Sequence, residues 1–90
     1  MIELHSECIF IPCSLLGRNA TRFVVEANSF KDSLYMCDGA HRCNAKSLLG
    51  VLSLNVRRNC PIIFETDAEN YKEVFDELKL FLETEEWQVF

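Results

Sequence analysis

Each helical segment of the sequence carries a single apolar stripe, so none of them can be buried on all sides, and each must cover one face of something else. From Gly17 to Phe30 the residues Ala20, Phe23, Val24, Ala27 and Phe30 recur three and four apart. Asn70 and Glu73 form an N-cap and N3 pair ahead of Tyr71, Val74, Leu78, Phe81 and Leu82, which predicts a capped final helix. A shorter helix follows Ser47, whose hydroxyl suits an N-cap, through Leu48, Leu49, Val51, Leu52 and Leu54, with Gly50 inside it.

The intervening segments read as strands. Ile2 to Ile11 alternates loosely and stops at Pro12, with Cys8 and Phe10 competing with Ile9 and Ile11 for the inward face. Ser33 to Cys37 and Ala40 to Cys43 are joined through Asp38-Gly39, a hairpin signal expected to form a type I′ turn. Pro61 to Thr66 contains Ile62, Ile63 and Phe64, with the proline expected at the strand's first position. The order strand, helix, strand, strand, helix, strand, helix predicts a two-layer α+β domain, a four-stranded antiparallel sheet covered on one face by three helices. Ninety residues suffice for one such domain, 1–90. The tail Trp87 to Phe90 carries apolar side chains and is expected to fold back onto it, with a dimer contact as the alternative.

The net charge of −5 argues against direct nucleic-acid binding. It is unevenly spread: residues 1–60 carry seven Lys/Arg against five Asp/Glu, and residues 61–90 carry two against nine. A basic face is therefore expected from the first two thirds and an acidic surface from the last. No run reaches the roughly 18 apolar residues of a membrane helix, and Met1, Ile2 and Glu3 lack a basic leader, so a cytoplasmic protein without membrane contact is expected. The five cysteines, Cys8, Cys13, Cys37, Cys43 and Cys60, form no Cys-x-x-Cys pair, so no metal or other cofactor is expected and most read as small buried hydrophobes.

The run Asn44, Ala45, Lys46, Ser47, Leu48, Leu49, Gly50, Val51, Leu52, Ser53, Leu54 resembles the regulatory-serine signature of the HPr family, the phosphocarrier proteins of the bacterial sugar phosphotransferase system. The element order is also similar to that family's. The second family signature, Gly-x-His-Ala-Arg-Pro-Ala, corresponds to Ser14, Leu15, Leu16, Gly17, Arg18, Asn19 and Ala20. Arg18 and Ala20 match, whereas Leu16 stands where the phosphorylated histidine is expected and offers no nucleophile. Asn19 replaces a proline that would have pre-set the first helical turn, a change expected to matter little.

The resemblance implies a regulatory protein, not an enzyme and with no catalytic residue, similar to the catabolite-repression HPr-like proteins. It implies phosphorylation of Ser47 by an HPr kinase/phosphorylase and signalling to a transcriptional regulator of the LacI type, with phosphotransferase-system enzymes as further partners. Leu48, Leu49 and Leu52 match the family's docking patch, of which the resemblance implies that Leu48 and Leu52 stay exposed; spacing alone is equally compatible with a core role for all three. Arg18, Arg22 and Lys46 are expected to rim that patch and bind the phosphate. Two alternatives stand beside this reading: an interaction module without phosphorylation, and a phosphocarrier using another nucleophile, for which only Cys13 lies near the expected place.

Overall fold

A computed structural model describes residues 3–89 of the chain. In chain order it contains strand β1 (His5–Ile11), helix α1 (Gly17–Asn28), strands β2 (Leu34–Asp38) and β3 (His41–Asn44), helix α2 (Leu48–Leu54), strand β4 (Cys60–Thr66) and helix α3 (Tyr71–Thr84). The strands form one antiparallel sheet in the order β1-β4-β2-β3. The three helices cover one of its faces, giving the expected open-faced sandwich. Met1 lies outside the described residues, as do Ile2 and Phe90, which the sequence assigns to the first strand and the tail. No helix among the described residues is long and apolar enough to cross a membrane.

Register decides which residues face the helices. Ile9 pairs with Ile62, and Phe64 lies between Glu7 and Met36. Ile9, Ile11, Leu34, Met36, Ile62 and Phe64 are buried against Phe23, Val51, Phe75 and Leu78. Phe10 and Ile63 point the other way and stay exposed. Glu7 falls on the inward row but sits at the open edge, where it pairs with Lys79 of α3. The ambiguity of β1 is thereby resolved in favour of Ile9 and Ile11, because only that phase places apolar residues opposite the inward row of β4.

The same alternation corrects the reading of the cysteines. Only Cys13 is buried; Cys8 is exposed and Cys37, Cys43 and Cys60 lie between. Cys8 and Cys37 flank Ile63 across the outer face of the sheet, where no helix covers them.

Three local expectations also change. The hairpin closes with Asp38 opposite His41, so its central residues are Gly39 and Ala40, and positive φ occurs at Gly39 (60°) alone. That is the pattern of a type II′ turn, which needs glycine at the first central position only, and not of type I′. Pro61 is the second residue of β4, opposite Phe10, beyond the point where pairing with β2 ends at Ile63. A missing N–H is tolerable there because only one side of the strand is paired. Asn70 occupies the N-cap of α3 without capping a helix N–H; its amide donates to the Glu73 carboxylate at 3.4 Å.

Helix α1 ends at Asn28, short of the expected Phe30, because the Asn28 amide donates to the carbonyls of Val24 (2.9 Å) and Lys46 (3.0 Å) and draws the chain toward the β3–α2 connection. Phe30 nevertheless stays in the core. Gly50 marks a close crossing: a Cβ there would stand 3.3 Å from Cys43 Cβ and 3.4 Å from the Asn44 carbonyl, so α2 can lie directly on β3.

Candidate functional site at the start of α2

The residues before α2 form a tight turn. The Asn44 side chain accepts from the Lys46 N–H (2.9 Å), and the Asn44 carbonyl accepts from the Ser47 N–H (3.0 Å). Ala45 is fully buried, its N–H donating to the Leu34 carbonyl at 2.9 Å. Ser47 then caps the helix: its hydroxyl accepts from the Gly50 N–H at 3.2 Å while its carbonyl accepts from the Val51 N–H at 2.9 Å. The side chain is half-buried, so the hydroxyl stands at the protein surface beside the helix it caps.

Over its seven residues α2 buries only Val51. Leu49 is 80% exposed, and Leu48 and Leu52 are 39% and 37% exposed. These three leucines are therefore not core residues: they form an apolar surface immediately after Ser47.

The expected basic rim does not form around Ser47. Lys46 turns its ammonium onto the Phe30 carbonyl (2.5 Å). Helices α1 and α2 run antiparallel, with the Leu15 N–H donating to the Val56 carbonyl (3.0 Å) at one end and Asn28 bonded to Lys46 at the other. Arg18 is therefore displaced by ten residues of helix, about 15 Å of axial rise, from the turn that carries Ser47. Arg22 faces the other way, onto α3, where it pairs with Glu85. Arg18 and Arg22 line one groove with Glu85 and Glu86, of which Glu85 pairs with Arg22.

At the start of α1, Leu16 is the N-cap residue in extended conformation and makes no side-chain cap hydrogen bond. Neither histidine replaces it: His5 stacks on Tyr71 with ring centroids 3.7 Å apart, and His41 opens β3 at the surface. Cys13, the alternative nucleophile, is 3% exposed, and burial pushes its thiol from the ordinary 9.0 up to about 11. A buried neutral thiol is a poor nucleophile.

Because the folded-state pKa is raised, the stabilising contribution of the neutral thiol is complete below pH 9 and is lost as the pH rises toward 11. Thermal denaturation between about pH 8 and about pH 11.5 is therefore expected to show a steeper alkaline loss of Tm in the unmodified chain than in Cys13→Ala. Parallel curves would contradict it.

Asn19 does more than stand in for a helix-starting proline. It is fully buried, its amide donating to the carbonyls of Ser14 (3.0 Å) and Gln88 (2.9 Å) while its Oδ1 accepts from the Gln88 N–H (2.8 Å). These three bonds tie the β1–α1 loop to the C-terminal segment through one side chain. The signal available in the sequence was a polar residue four before Phe23, hence on the buried stripe of α1.

Comparison with known proteins agrees with this geometry. Residues 11–84 match the family model described as the PTS HPr component phosphorylation site, and the chain belongs to the HPr family. It is 31% identical over 85 residues, 94% of its length and all of the relative's, to the HPr-like protein Crh of Halalkalibacterium halodurans. The HPr-like protein Crh of Bacillus subtilis is 30% identical over 71 residues, 79% of this chain and 84% of that one. Among solved structures, HPr-C-His from Thermoanaerobacter tengcongensis superposes with a TM-score of 0.80 at 25% identity, covering 92% of this chain and 99% of that one.

Proposed function

We propose that this chain is a regulatory HPr-like protein that acts through phosphorylation of Ser47 and through protein binding at Leu48, Leu49 and Leu52, and that it carries no phosphoryl group at the start of α1. The observation behind this reading is the juxtaposition of a surface hydroxyl at the N-cap of α2 with three exposed leucines on the first turns of the same helix. Phosphorylation would place about −1.5 to −2 charges at that cap without disturbing the core. An HPr kinase/phosphorylase is the modifying partner, and a LacI-type transcriptional regulator is the receiver. The cation nearest in sequence, Lys46, is free to answer the phosphate only by leaving the Phe30 carbonyl. Phosphate recognition therefore rests mainly on cations of the partner.

Incubation with phosphoenolpyruvate and enzyme I is expected to leave the chain unphosphorylated, because Leu16 has no nitrogen to accept the group and Cys13 is buried. A phosphohistidine or phosphocysteine found by mass spectrometry on the unmodified chain would overturn this part of the reading. Leu49→Ala is expected to weaken binding of the regulator by about tenfold, the scale of one well-buried interface side chain, with Tm unchanged. Unchanged affinity measured by calorimetry would place the docking surface elsewhere.

A further inference from the structure

The segment that follows α3 turns back across the molecule. The chain leaves α3 in extended conformation at Glu85 (φ −74°, ψ 143°) and reaches the start of α1, where both backbone groups of Gln88 are held by Asn19. Trp87 meets Phe81 edge-on at 5.4 Å between ring centroids, and its indole N–H donates to the Leu82 carbonyl at 3.0 Å. Arg22 and Glu85 pair at the base of the segment. Trp87, Gln88 and Val89 line a cavity together with Pro12, Cys13 and Ser14 of the β1–α1 loop and with Arg58. The segment lies beyond residue 84, where the match to the family model ends.

These attachments differ in kind from the core beneath them. A few hydrogen bonds, one partly exposed ion pair and one aromatic contact hold an extended piece of chain that has no ladder or helix of its own. Such segments open with much smaller free energies than the body of a domain. When this one opens, the β1–α1 loop loses its cover and the Cys13 side of the cavity becomes surface.

We propose that residues 85–89 are a latch over the β1–α1 loop, with Asn19 as its catch, and that the latch controls access to Cys13. The two ends of α1 then differ in function. The leucine face of α2, at the C-terminal end of α1, is always presented, whereas the surface at the start of α1 is presented only when the latch is open. Asn19 is a positioning residue in this device: it holds Gln88 and touches no ligand.

The test is thiol labelling of the full chain under native conditions with a maleimide reagent, read cysteine by cysteine by peptide mass spectrometry. In the unmodified chain Cys8 should label at once and Cys13 slowly. Asn19→Ala should raise Cys13 labelling about tenfold, the effect expected from losing a small set of hydrogen bonds. Cys43, half-buried under α2 and remote from the latch, should keep its rate. Trp87→Ala frees the same segment without unpairing a buried amide, and it gives the answer if Asn19→Ala fails to fold. Cys13 labelling that stays slow in the folded variants, or that rises only in step with Cys43, would overturn the latch.

Discussion

Phe64→Ala is expected to cost about 3 to 5 kcal/mol of folding stability, enough to leave the chain close to unfolding at ordinary temperatures. Phe64 is fully buried in β4, which lies between β1 and β2, and its ring packs against Phe23 of α1 at 6.1 Å between centroids. It therefore joins the two layers at the point where each is most enclosed, and the site has little freedom to collapse around a truncated side chain. At roughly 4 to 8 °C per kcal/mol for a domain of this size, Tm should fall by about 12 °C or more. Ile63→Ala is the matched control. Its side chain lies one residue away on the open face and is 40% exposed, so the loss should be about 1 kcal/mol. Equal losses for the two variants in thermal denaturation would mean that the sheet faces are assigned the wrong way round.

That contrast also shows what the sequence could and could not convey. Helix positions and the order of elements were readable because the apolar stripes of α1 and α3 and the turn residues between strands are local signals. The inward phase of β1 was not, since Ile9 and Phe10 are equally apolar and only pairing with β4 separates them. Two of the cysteines follow the same rule: burial belongs to the sheet face, and Cys8 and Cys37 fall on the uncovered one, whereas Cys43 and Cys60 pack partly buried against the core. At the candidate site, Ser47 and its turn were legible as a contiguous motif, and Leu48, Leu49 and Leu52 were legible as a choice between surface and core. The placement of Arg18, Arg22 and Lys46 was not legible. Whether a cation reaches Ser47 depends on the antiparallel packing of α1 on α2 and on competing acceptors, the Phe30 carbonyl for Lys46 and the Glu85 carboxylate for Arg22. Asn19 was undervalued because its partner, Gln88, is 69 residues away.

The second large effect is all-or-none. With ATP and an HPr kinase/phosphorylase, the chain should gain a single phosphate on Ser47, and Ser47→Ala should gain none. Phosphorylation replaces the hydroxyl that now accepts from the Gly50 N–H with a stronger acceptor at the same helix end. The interaction with the helix dipole is worth about 0.3 to 1 kcal/mol, so the phosphorylated chain should be at least as stable as the unmodified one. Ser47→Ala loses the cap and should be less stable by about 1 kcal/mol. Higher affinity of the phosphorylated chain for its regulator should weaken with added salt, since the recognition is between surface charges.

The most direct measurement is site-mapped mass spectrometry of the intact chain after incubation with ATP and the HPr kinase/phosphorylase of its own host. One phosphate confined to Ser47, absent from Ser47→Ala, is the expected result. A chain that stays unmodified while the host's HPr is phosphorylated in the same tube would contradict a regulatory role for Ser47 and leave the serine as the cap of α2.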